Sequence, residues 1–228
     1  FAVILIFVSK ALGWISIEED VKVITDVSLA GIAFFSVIIT IFVGTDLLRK
    51  EMDRRTLYTI LAKPVPRFAF VLGKYAGLMF TLLVNLALMA AVFLGFLWWM
   101  GGTLHRGLFE VLVLLFLELA VLTSFALLVS NFTSSLLSAV ITFIIYIAGH
   151  QSDNILTLKA KVSPTVYDWF LRPLYLLIPN FGNYEYNLQA VHQLPIGMAV
   201  LGPVLLYTLL YAGIMLVLSC WAFSRKNF

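Results

Sequence analysis

Charge is what this sequence has least of: Asp, Glu, Lys and Arg together make up 12% of its 228 residues. A soluble fold needs a polar shell around its core, so that scarcity, beside 62% hydrophobic residues, excludes a soluble domain. Cysteine is almost missing as well. Cys220 stands alone, which rules out an internal disulfide or a thiolate metal cluster and leaves the role of a small buried apolar side chain. The period-two alternation of barrel strands is absent. So are Gly-x-Ser-x-Gly, His-Glu-x-x-His and paired-carboxylate motifs, so no catalytic residues for hydrolysis are expected. The histidines His105, His150 and His192 have no metal-ligand spacing; no metal site is expected, and surface or interface positions are. A formal net charge of +3, with the basic residues gathered in one short segment, gives no surface for nucleic acid.

What is present is apolar length. Lipid offers the backbone no hydrogen-bond partner, so spanning segments must be helices or closed barrels, and long unbroken apolar runs select helices. Five stretches reach or approach the roughly 20 residues that cross a bilayer. They are 27–48, 76–100, 109–130, 133–150 and 197–221. Residues 1–12 are the expected outer end of a sixth, and because Phe1 falls inside an apolar run the sequence is expected to start within a longer protein. No signal peptide is expected, since Lys10 follows the apolar stretch instead of preceding it. The expected fold is an all-α integral membrane protein, a single six-helix transmembrane bundle over 1–228 with its first helix incomplete.

Orientation follows from the loops, because Lys and Arg near span ends are retained on the cytoplasmic side. The 49–74 segment holds Arg49, Lys50, Arg54, Arg55, Lys63, Arg67 and Lys74, whereas the longer 151–196 loop carries only Lys159, Lys161 and Arg172. The first is therefore expected inside the cytoplasmic membrane and the second outside, with both termini cytoplasmic. Residues 45–62 lack Gly and Pro and are expected to carry the second span on as a helix. Glu51, within a turn of Arg54 and Arg55, supports that helix. Lys63-Pro64-Val65-Pro66 breaks it, and Pro66 begins the next helix, where a missing amide hydrogen costs nothing. A charged helix-break-helix of this kind suits force transmission to a soluble partner; basic anchors contacting anionic membrane lipid are the plainer reading.

The order of residue types adds a family resemblance. Glu51, Arg54-Arg55-Thr56-Leu57, Leu61-Ala62-Lys63-Pro64-Val65-Pro66-Arg67 and Leu72-Gly73-Lys74-Tyr75 resemble the segment between the second and third spans of ABC type-2 transporter permeases. Leu127-Leu128-Val129-Ser130-Asn131-Phe132, Gly149-His150, Leu177-Ile178-Pro179-Asn180-Phe181 and the tail from Ala222 to Phe228 resemble the same family. The resemblance implies that the 49–74 segment forms a coupling helix seated in a cleft of an ABC ATPase. Its contact residues would be Glu51, Asp53, Arg54, Arg55, Thr56, Lys63, Pro64, Pro66 and Arg67. It also implies two ATPase copies, a second permease as homodimer or heterodimer, a central pathway lined by the second and fifth spans, and export of a substrate. The family's amphipathic N-terminal elbow helix is missing from this sequence. Gly73-Lys74 is no phosphate loop, because Phe68 and Tyr75 occupy the positions where Gly and Ser or Thr are required. No cofactor is expected on this chain; ATP and Mg belong to the partner.

In the outer loop, Ser163-Pro164 is a helix start, and the aromatic run to Leu177 is expected to form one or two short helices in the outer leaflet, either a packed lid or a cap on the exit. Pro179, Asn180 and Phe181 are outer-loop candidates by the resemblance. Glu118 falls in mid-span, where an unpaired carboxylate costs at least ~2.5 kcal/mol. It either fastens helices, with Asn85 or Thr123 as partner, or serves the pathway or a proton. Two other classes remain: a membrane scaffold remodelling an envelope complex with an ABC ATPase, and an intramembrane enzyme built on Glu118 and a histidine.

Overall fold

The computed structural model describes residues 20–53, 67–152 and 178–225, and among these every regular element is helical. The elements are α1 (Asp20–Asp53), α2 (Arg67–Trp99), α3 (Arg106–Ser130), α4 (Ser135–His150), a 3-10 turn (Phe181–Tyr184), α5 (Asn187–Val191) and α6 (Met198–Ser224). Four of them, α1, α2, α3 and α6, are long and apolar enough to cross a membrane. The partial span at 1–12, the proline break with Arg54, Arg55, Thr56, Lys63, Pro64 and Pro66, and the Ser163–Leu177 helices lie outside the described residues. Glu51 and Asp53 fall on the last turns of α1, and Arg67 opens α2.

Helices this apolar still carry hydroxyls, and the backbone absorbs them. Thr40 donates to the Ser36 carbonyl at 2.8 Å, Thr123 to Leu119 at 2.6 Å and Thr142 to Ser138 at 2.7 Å, each one turn back on its own helix. A hydroxyl so satisfied crosses lipid without an orphan donor.

The central element is α3, which packs against α1, α2, α4, α6, the 3-10 turn and α5. The main core gathers Ile32, Phe93, Leu114, Leu119 and Phe181 around it, all fully buried. A smaller cluster of Val71, Leu78, Leu127 and Phe223 closes the other end, where Phe70 and Phe223 stack at 5.5 Å. At that end the Asn131 amide donates to the Ser219 hydroxyl at 2.8 Å and fastens α3 to α6.

With 16 residues, α4 spans about 24 Å, less than the ~30 Å hydrocarbon core. The chain that follows helps fill the remaining depth. Phe181 is 0% exposed and packs on Gly149, where a Cβ would run into the Phe181 ring and stand 2.5 Å from the Pro179 carbonyl. Only glycine permits that approach. Three bonds then fix the descending segment. The Asn180 amide donates to the Tyr207 hydroxyl at 2.9 Å, His105 Nε2 lies 2.8 Å from the Ala190 carbonyl, and the Ile196 amide donates to Glu110 Oε2 at 2.8 Å. Gly197, at φ 75°, makes the bend into α6 that a side chain would resist.

A polar cluster at the middle of the bundle

Glu118 is the midpoint of α3, about 18 Å along the axis from either end at 1.5 Å per residue. It is 6% exposed. His150, the last residue of α4, meets it there, with Nε2 3.6 Å from Glu118 Oε1. Glu185, just beyond the 3-10 turn, approaches the same nitrogen at 3.9 Å. Three elements distant in sequence thus bring two carboxylates to one imidazole at mid-depth, because α4 stops short and the 178–196 segment descends to meet it.

The surround is aromatic. The Tyr146 ring lies 4.6 Å from His150 and the Phe181 ring 5.7 Å, and Tyr184 follows 6.3 Å from Phe181. The Tyr184 hydroxyl pairs with Thr208 at 2.8 Å, tying the turn to α6. Burial pushes that hydroxyl well above its ordinary range, against the opposing effect of the Thr208 bond, so Tyr184 is a neutral wall. Between this group and the Leu29–Phe34 face of α1 lies a cleft of about 230 Å³.

Glu118 is not fastened by a hydrogen bond at Oε1, where His150 at 3.6 Å is an ion-pair neighbour only. Of the two partners weighed for it, Thr123 gives its proton to Leu119 instead, and Asn85 is half-buried on α2. His150, expected at a surface or interface, is instead largely enclosed, its side chain 21% exposed. The 3.6 Å separation from Glu118 lies outside the distance for direct proton transfer. Among the described residues no group of three His, Cys, Asp or Glu is placed to hold a metal ion.

Pro179, Asn180 and Phe181 come together with Gly149-His150, and the link is steric: Phe181 needs the missing Cβ. Asn180 caps the turn, accepting from the Gly182 amide at 2.9 Å. Glu185, Tyr146 and Tyr184 were not singled out from the sequence. The signal for Glu185 and Tyr184 was their position directly after the Pro179–Phe181 motif; nothing local marked Tyr146.

A family model described as ABC-2 family transporter protein matches residues 8–228. No curated protein matches the chain significantly.

Proposed function

The chain belongs to the ABC-2 transporter family and is a multi-pass membrane permease of an ABC transporter, and from that premise we propose that it couples ATP hydrolysis on a separate ATPase subunit to export of a substrate. Permeases of this family usually work with an ABC ATPase. The observation that carries the coupling is the length of α1. Its apolar stretch ends at Leu48, yet the helix runs on to Asp53, taking Arg49, Lys50 and Glu51 beyond the hydrophobic span. Helix α2 is described from Arg67, and the sequence between the two helices holds Lys63-Pro64-Val65-Pro66. Two rigid helices flanking a short charged connection form a lever, since force applied to the connection moves both spans.

In this reading the 49–74 segment lies in the cytoplasm, as its seven basic residues favour, and 151–196 lies outside. Two permeases, identical or similar, pair with two ATPases, and six spans per protomer include the segment at residues 1–12. ATP binding then shifts the permease only so far as the ATPase pair grips one permease state more tightly than the other.

Charge reversal of Arg54 and Arg55 to Glu tests the assignment. Co-purification of the ATPase from membranes should fall to background while the permease still inserts and migrates as a bundle. Undiminished co-purification, with the charge reversal verified, rejects the lever.

A further inference from the structure

We propose that the cleft between α1 and the Glu118–His150–Glu185 group binds an ammonium ion, the charged end of an amphiphilic cation. The inference rests on the permease reading and adds the charge class of what such a permease accepts. Glu118 is the first reason: it is a carboxylate on the lining of the cleft, buried to 6% exposure, and its enclosed Oε1 has no hydrogen-bond partner. An ionised carboxylate in that position needs a partner that carries both charge and hydrogens. A protonated amine supplies both.

The lining gives the second reason. Glu118 on α3, His150 and Tyr146 on α4, and Tyr184 and Glu185 on the descending segment face the space, and no described residue lining it is Lys or Arg. That set repels anions. Tyrosine faces favour a cation, and favour a soft organic one over a hydrated inorganic one. A metal ion is the poorer fit, since among the described residues no group of three His, Cys, Asp or Glu is placed to hold one.

Size and borders give the third. About 230 Å³ holds a headgroup and falls short of the ~300–1,000 Å³ of drug-sized pockets. The remainder of a longer molecule has to lie outside, and the border on that side is apolar: Leu29, Ala33 and Phe34 of α1, with Phe34 57% exposed. An alkyl chain along that helix face would remain in a hydrocarbon environment while its ammonium reached Glu118.

The test uses the permease with its ATPase in uncharged maltoside micelles. Octylammonium, octanol and octanoate share one chain and differ in charge, and calorimetric titration compares them. Octylammonium should bind about tenfold or more tightly than either of the others, the margin of one charge-assisted contact, and Glu118→Gln should remove most of that preference. Glu185→Gln, at a side chain 61% exposed and outside the core, should reduce it in part and serves where the first variant does not assemble. Equal binding of the three probes, or a preference that survives in the variants, overturns the site. ATPase co-purification is scored on the same samples: an intact complex without ammonium preference rejects this inference alone, whereas absence of any ATPase in the wild-type particle rejects the permease reading beneath it.

Discussion

Helices α3 and α6 are nearly equal in length, 25 and 27 residues, and their most apolar 18-residue stretches have mean hydropathies of 2.6 and 2.1, yet they occupy opposite situations. Helix α3 is buried along most of its length, and α6 leaves Leu206, Leu209, Leu210 and Val217 on the outside. In water the difference would follow from hydrophobicity. In a bilayer it does not, because lipid tails are as apolar as leucine and a span gains nothing by hiding such a face. What distinguishes α3 is a group that lipid cannot satisfy, the buried carboxylate of Glu118, and a residue that allows close approach: at Gly107 a Cβ would stand 2.9 Å from the Leu194 carbonyl. Polarity and smallness choose the central helix, and packing density follows.

The largest expected break in that comparison is a pair of identical truncations. Leu119→Ala on α3 removes a side chain that is 0% exposed and should cost ~2–5 kcal/mol through the cavity left behind. Leu209→Ala on α6, at 63% exposure, should cost less than ~0.5 kcal/mol, since lipid fills the space. Unfolding in mixed micelles of rising dodecyl sulfate content measures both. Similar losses would mean that the outer face of α6 is covered, the behaviour of an interface between permeases.

Next in size is Gly149→Val. Its Cβ would fall 2.5 Å from the Pro179 carbonyl and run into the buried Phe181 ring, so the descending segment has to shift as a body. A cost of about 1–3 kcal/mol is expected. The more telling readout is local: hydrogen exchange of the 178–191 amides should accelerate while that of α6 holds. Uniform acceleration would show that the segment is integral to the whole bundle instead of an insert beside α3.

Much of this arrangement was legible in the sequence, and the reasons for success and failure are physical. Apolar length alone placed α2, α3 and α6, because the bilayer imposes a minimum run. The helix that continues past Leu48 to Asp53 accords with the absence of Gly and Pro there, whereas the rest of the helix expected to Ala62 and the break at Lys63–Pro66 lie outside the described residues. The buried cluster was legible only in half. Glu118 declared itself through the cost of a mid-span carboxylate, but its neighbours His150 and Glu185 come from elements 32 and 67 residues away by numbering, at distances fixed by where α4 stops. Their meeting also involves the close approach of Phe181 to Gly149, a steric fit between distant residues that no local pattern encodes.

The smallest expected effect is at Asn131, where the two helices of the comparison touch through polar atoms. Its amide donates to the Ser219 hydroxyl at 2.8 Å and, more weakly, to the Ser219 carbonyl at 3.3 Å. Both residues are 0% exposed, which alone would suggest a strong fastening. Two opposing terms reduce it. The Asn131 Oδ1 is buried without a partner, so removing the side chain also removes an unsatisfied acceptor. Hydrogen bonds between membrane helices average only ~0.6 kcal/mol, because a separated helix finds partners of its own. Asn131→Ala should therefore lower stability by about 0.6 kcal/mol, close to the resolution of a dodecyl sulfate titration. A loss above ~2 kcal/mol would place this contact among the buried networks whose members act together. It would also mean that α6, with most of its surface turned outward, is held to α3 chiefly by polar contact at one end. The Phe70–Phe223 stack would then contribute little, and replacing Phe223 with Leu distinguishes the two cases at the same end of the bundle.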